Sequence, residues 1–286
     1  MRIVRLPSGL ALAEDDRVSG RLGQATLSEL WRLRLDELRP VLEAASGSQD
    51  GERVTTPLAP IDGETEVWAA GVTYRRSEEA RVEESDTPDI YTRVYSAERP
   101  ELFFKANARR VAGPDEPVAV RADSTWDVPE PELAVVVNAH AEIVGYTIAN
   151  DVSSRSIEGD NPLYLPQAKV YARACSLGPG VTPVWQVDDP YALEIRMRIQ
   201  RGGQPLWQGS ANTSELKRRL DELVAYLFRA DDFPAGVIIS TGTALVPESP
   251  FTLQAGDSVE IEIDGLGTLR NPVIEVGTRT SSSQQR

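Results

Sequence analysis

The chain has 286 residues, 41% hydrophobic and 26% charged, the balance of an ordinary globular protein. Its net charge of −14 argues against nucleic acid or an anionic membrane as a main partner, since both need a basic face. A lone cysteine, Cys175, excludes an internal disulfide, and a lone histidine, His140, excludes a multi-histidine metal site or a histidine-pair mechanism. No apolar window is long enough for a signal peptide or a membrane span, so a soluble, cytoplasmic protein is expected.

Residues 1–60 read as a small N-terminal domain. Short strands flank Ser8-Gly9, and Thr26-Leu-Ser-Glu29 forms a capping box that opens an amphipathic helix reaching about Ala45. A polar break over 46–51 and a proline-containing linker lead to Pro60. From Val67 the pattern turns to strands: 67–74, then 102–104, then the apolar runs 133–138 and 143–148 around a turn at 139–142. Ser77 can cap a polar helix over 78–85. A second hairpin, 193–200 with 206–208, turns at Gly202-Gly203. A helix is expected over 212–229, with Leu216, Leu220, Leu223 and Leu227 on one stripe. Three late strands, 237–241, 258–263 and 269–276, precede a polar tail over 279–286 that reads as disordered. Many strands, few helices and no regular βαβ alternation point to an α+β, mainly β chain with a mixed or antiparallel core, its catalytic domain over 61–278.

The chemistry concentrates in four pieces: Glu130-Pro131-Glu132, Asp151, Lys169 and Gly242-Thr243. On an extended segment Glu130 and Glu132 share a face, roughly 6–7 Å apart. If the hairpin turns between His140 and Ala141, residue 151 lies across from 130 and residue 149 across from 132. Asp151 then meets both glutamates. Three like charges so placed need a cation, and an oxygen-only set favours Mg²⁺, with Mn²⁺ or Ca²⁺ as alternatives. The other reading of the same spacing is a solvated strand edge with an Arg155 salt bridge. Lysine is scarce, three against 27 arginines, and two of the three, Lys105 and Lys169, fall beside motif residues.

These pieces resemble the fumarylacetoacetate hydrolase family. The resemblance rests on Gly71-Val-Thr-Tyr74, Arg99-Pro-Glu-Leu-Phe-Phe-Lys105, Val111-Ala-Gly-Pro114, Pro129-Glu-Pro-Glu-Leu-Ala-Val-Val136, Gly145-Tyr-Thr-Ile-Ala-Asn-Asp-Val-Ser-Ser-Arg155, Lys169, Leu177-Gly-Pro179 and Gly242-Thr243, in order over about residues 67–275. It implies a mixed β-roll core of the family's C-terminal type and Mg²⁺ held by Glu130, Glu132 and Asp151. A 2-keto acid or 1,3-dicarbonyl substrate and assembly as a homodimer or homotetramer are implied as well.

The departures matter. Family hydrolases and decarboxylases carry a histidine in a lid helix, with a glutamate three residues later; here those positions are Ser77 and Ala80. Without the pair, nothing obvious activates a water for C–C cleavage. The segments Trp126-Asp-Val-Pro-Glu-Pro-Glu132 and Ser156-Ile-Glu-Gly-Asp-Asn-Pro-Leu-Tyr-Leu-Pro-Gln-Ala-Lys169 instead resemble a dehydratase branch of the family. That branch removes water from 2-keto-3-deoxy-D-arabinonate, also named as the xylonate, to give 2,5-dioxopentanoate. The resemblance implies a magnesium-dependent lyase of pentose breakdown, with hydrolysis of an acylpyruvate-like or fumarylacetoacetate-like diketo acid as the alternative. In the lyase reading Lys169 is the base and Glu101 the acid. Thr243, Ser77 and Arg81 contact the substrate, the last two from a lid over 76–86.

Overall fold

The computed structural model describes residues 1–23, 25–47, 51–76 and 88–277, with the backbone alone over 88–91. The expected lid positions Ser77, Ala80 and Arg81, and the tail, lie outside the described residues.

The strand Pro131–Val137 is buried at every position, and its period of two explains why. Leu133, Val135 and Val137 join one core with Ile195, Met197, Val259 and Ile261. Ala134 and Val136 join a second core with Trp31, Leu38, Leu42 and Ile238. A strand with apolar layers on both faces must sit inside a sheet, and this one does. Among the described residues ten strands form that sheet. Its order is Arg17–Arg21, Gly9–Glu14, Arg2–Leu6, Cys175–Pro183, Ile143–Asp151, Pro131–Val137, Val237–Ser240, Glu66–Gly71 and Glu101–Asn107, with Val111–Ala112 branching from Cys175–Pro183.

A five-stranded sheet packs across the first core: Gln204–Asn212, Glu194–Arg201, Asp257–Ile263, Gly267–Val276 and Val118–Arg121. Parallel pairs, such as Val237–Ser240 with Glu66–Gly71, sit among antiparallel ones, so both sheets are mixed, as expected. The N-terminal strands extend the large sheet through the pairing of Arg2–Leu6 with Cys175–Pro183.

The central hairpin has the register the spacing suggests. Ala149 faces Glu132, Asn150 faces Pro131, and the Asp151 N–H donates to the Glu130 carbonyl at 3.0 Å. Two helices differ from expectation. The first does start at a Thr26 capping box, but it breaks into Leu27–Leu30 and Leu35–Ala45. Tertiary acceptors decide this: Asp62 takes the N–H groups of Leu27 and Ser28, and Glu142 takes that of Leu35, so the chain starts a helix twice. The later helix spans only Leu220–Leu227, because Leu216 bridges Tyr74 and the Lys217 N–H donates to the Thr73 carbonyl, which holds the chain before it out of the helix. Asn212 then caps a short 3₁₀ turn, Thr213–Glu215. Leu220, Leu223 and Leu227 still form its buried stripe.

Ile261 is about 1% exposed at the interface of the two sheets. Ile261→Ala is expected to lower unfolding stability by about 2–5 kcal/mol in a denaturant titration, since the sheets cannot close over the lost volume.

Candidate active site

The large sheet ends its central strands at one place. Glu130 precedes Pro131–Val137 and Glu132 is that strand's second residue, Asp151 closes Ile143–Asp151, and Thr241 to Thr243 follow Val237–Ser240. On the far neighbour Gly71 faces Glu101 in register. The three acidic residues are at most 3% exposed, and one carboxylate oxygen from each lies within 4.8 Å of the others. Burial of all three removes the solvated-edge reading.

Cations thread this cluster. Lys169 Nζ donates to Glu130 Oε2 at 2.7 Å, Asp151 Oδ2 at 3.0 Å and Ser153 Oγ at 2.5 Å. Lys105 pairs with Asp151 Oδ1 and donates to the carbonyls of Val152 at 3.0 Å and Lys169 at 2.6 Å. It thus fixes a carboxylate and the backbone of the neighbouring lysine together. Arg155 Nη2 meets Glu130 Oε1 at 3.0 Å. The expected Arg155 salt bridge therefore exists, but it is buried and involves Glu130.

Glu132 is different. Its Oε2 accepts from Ser240 Oγ at 2.6 Å and from the Gly242 N–H at 2.7 Å, both neutral donors. Burial, with the Asp151 and Glu130 carboxylates beside it, pushes its carboxyl up to about 8. Gly242 has φ +93°, and a Cβ there would lie 2.0 Å from Thr73 Oγ1, so glycine is what lets this N–H reach Glu132.

The remaining space is a cavity of about 20 Å³, lined by the three carboxylates, Glu101, Glu158, Lys169, Phe103 and Thr243 among others. That is the volume of one ion or water. A hard-oxygen donor set of three carboxylates around an ion-sized space fits Mg²⁺, with Glu130, Glu132 and Asp151 as the groups that would hold it. Glu101 reaches the cavity because Gly71 has no side chain: a Cβ there would lie 2.1 Å from Glu101 Oε2. Phe103, from the same strand, places its ring 5.8 Å from Lys169 Nζ and helps keep water away.

Thr243 lines the cavity, yet its hydroxyl donates to the Pro131 carbonyl at 2.9 Å. Contact with a substrate carboxylate requires that proton to turn away from Pro131. His140 stands exposed at the hairpin turn, with Nε2 3.1 Å from the Arg32 carbonyl. Sequence reasoning missed Glu158, which is buried on a helix capped by Ser154, and gave no task to Lys105, Ser153 or Ser240. The one available signal was lysine scarcity, which singled out Lys105 without naming its partners.

The chain belongs to the fumarylacetoacetate hydrolase family: the Fumarylacetoacetate (FAA) hydrolase C-terminal domain matches residues 66–274. A Haloferax volcanii protein named as a probable 2-keto-3-deoxyxylonate dehydratase is 57% identical over 263 residues, covering 92% of this chain and 90% of that protein. The 2-dehydro-3-deoxy-D-arabinonate dehydratase of Saccharolobus solfataricus is 44% identical over 225 residues, covering 77% and 74%. A solved 2-keto-3-deoxy-D-arabinonate dehydratase complexed with magnesium and 2,5-dioxopentanoate superposes with a TM-score of 0.79 at 36% identity, over 96% of this chain and 98% of that one.

Two outcomes test the geometry. With its carboxyl raised to about 8, Glu132 carries a proton that a divalent cation would have to displace, so binding is expected to release a proton and to weaken as pH falls. Mn²⁺ titrations followed by electron paramagnetic resonance are expected to show affinity dropping by up to about tenfold per pH unit below that point. A flat profile would reject Glu132 as a ligand. Gly71→Ala is expected to push the Glu101 carboxylate out of the cavity, lowering turnover while Mn²⁺ affinity stays near that of the parent.

Proposed function

We propose that this protein is a magnesium-dependent hydro-lyase that converts 2-keto-3-deoxy-D-arabinonate (or xylonate) to 2,5-dioxopentanoate and water. The observation that carries this reading is the buried carboxylate triad with Lys169 lodged between two of its members and Glu101 on the same cavity wall. The dehydratases similar to this chain, one of them bound to magnesium and 2,5-dioxopentanoate, support the choice of reaction.

Elimination needs a base for a C3 proton and an acid for the C4 hydroxyl. Mg²⁺ bound at the triad would polarise the C2 ketone and acidify C3. Lys169 Nζ is our base. As an ammonium it is held by Glu130 and Asp151. When those carboxylates face a divalent cation, the negative field that keeps the amine protonated weakens, so Nζ can accept a proton at C3. Glu101 is our acid: it gives its proton to the C4 oxygen, which leaves as water. The resulting C3=C4 bond then moves toward C5 by proton shifts, and the C5 enol becomes the aldehyde. Glu130, Glu132 and Asp151 hold the ion, Lys105 and Arg155 hold those carboxylates, and Thr243, Ser77 and Arg81 are assigned to the substrate. Assembly as a homodimer or homotetramer and a cytoplasmic location are part of this reading. Among the described residues no helix is long and apolar enough to cross a membrane.

The test is an assay on the 2-keto-3-deoxy acid beside one on acylpyruvates. Turnover of the first, its loss on chelation and its return with Mg²⁺ or Mn²⁺ are the expected results; efficient acylpyruvate hydrolysis instead would overturn the assignment. Lys169→Met is expected to lower turnover by about 10²–10⁴-fold and to stop exchange of C3 protons with solvent. Glu101→Gln should suppress turnover to a similar degree while some C3 exchange survives. The opposite exchange pattern would reverse the two roles.

A further inference from the structure

A much larger cavity borders the site. It is a cleft of about 620 Å³ between the linker at Leu58 and Ala59, the turn around Ala108 to Ala112, and residues Val170 to Arg173. Its walls carry four arginines, Arg5, Arg109, Arg110 and Arg173, on a chain whose net charge is −14. Elsewhere arginines such as Arg2, Arg121, Arg201 and Arg270 each hold a carboxylate. Among the described residues none of the four cleft arginines does, and Arg109 and Arg110 have no hydrogen-bond partner there. The one acid on the wall, Glu116, accepts from the Gly113 N–H at 2.8 Å.

The cleft is built by close chain packing. A Cβ on Gly113 would lie 2.5 Å from the Ala59 nitrogen, so the 111–113 turn presses directly on the linker. Arg5 Nη1 lies 3.4 Å from the Ala59 carbonyl and Arg173 Nη1 donates to the Pro117 carbonyl at 3.2 Å. Such contacts aim a guanidinium without neutralising it. Arg173 also sits at φ +60°, a left-handed conformation that favours glycine. Four like charges around one concavity repel each other, and the arrangement becomes favourable when an anion enters.

We propose that this cleft binds a small oxyanion carrying two or more negative charges, a phosphate ester or a dicarboxylate. The volume lies within the range of small-molecule sites, and guanidinium forks match the paired oxygens of phosphate and carboxylate alike.

Calorimetric titration of the magnesium-loaded enzyme with inorganic phosphate, and separately with succinate, tests this. At least one probe is expected to bind with a Kd of about 1 mM or tighter at low salt, weakening as salt rises. Preference for phosphate assigns the phosphate-ester class, and preference for succinate the dicarboxylate class. Arg109→Ala/Arg110→Ala should weaken binding by about tenfold or more, and Arg173→Ala independently by several-fold, with turnover and thermal midpoint unchanged. Three results would overturn the proposal: no binding of either probe, binding unaffected by both variants (an anion at the metal centre), or a change of oligomeric size in the double variant, which would make the cleft a contact between copies.

Discussion

Buried negative charge is the constraint that the rest of this structure serves. Glu130, Glu132 and Asp151 have oxygens within 4.8 Å of one another in a nearly water-free place. At an effective dielectric near 20, each such pair repels by about 3–4 kcal/mol. Two carboxylates are answered by buried cations: Asp151 by Lys105 and Lys169, Glu130 by Lys169 and Arg155. Among the described residues Glu132 accepts from a hydroxyl and an N–H rather than from a cation, and burial beside the other two carboxylates pushes its carboxyl up to about 8. A divalent cation held by the three carboxylates would take the place of that carboxyl's proton. The lysine usage of the chain follows from the same constraint. Where a compact ammonium must fit between carboxylates the chain uses lysine, while the surface ion pairs are made by arginine.

Such a cluster can exist only if rigid elements force it together. Removing one partner of a buried ion pair typically costs about 3–5 kcal/mol, so the cluster adds nothing to stability unless every partner is in place. Two sheets packed over largely apolar cores supply the force, and the site occupies one end of the large sheet's central strands. Gly71 and Gly242 complete it by subtraction, one clearing space for the Glu101 carboxylate and the other bringing an N–H onto Glu132.

Features set by local pattern are legible in the residues themselves. The hairpin register, and with it the meeting of Glu130, Glu132 and Asp151, follows from a period of two and the position of one turn. Elements set by distant partners are not legible in this way. Nothing within 27–45 shows that Asp62 and Glu142 will each start a helix there. The leucine stripe of 216–227 cannot show that Leu216 will bridge Tyr74 and that the Lys217 N–H will go to Thr73. The strand Cys175–Pro183 escapes a pattern reading because Gly178, Pro179, Gly180 and Pro183 mask its alternation, although it joins the N-terminal strands to the central hairpin. Likewise the three contacts of Lys105 and the burial of Glu158 depend on chain crossings that no spacing rule reports.

The segment from Lys169 to Arg173 carries the two cavities on opposite ends of five residues. Lys169 faces the carboxylates, and Val170 to Arg173 line the arginine cleft. The segment is tied down between them: the Lys169 carbonyl accepts from Lys105, Tyr171 donates its hydroxyl to the Ala119 carbonyl at 3.1 Å, and the Ala119 N–H donates to the Arg173 carbonyl at 3.0 Å. A ligand on Arg173 can alter the placement of Lys169 only if its affinity differs between two positions of this segment, and the effect of magnesium on that ligand must then be equal and reciprocal. Lys105 is where such coupling would pass, because it holds Asp151 and the Lys169 backbone with one ammonium. A shift of the segment cannot leave Asp151 untouched while Lys105 keeps both contacts.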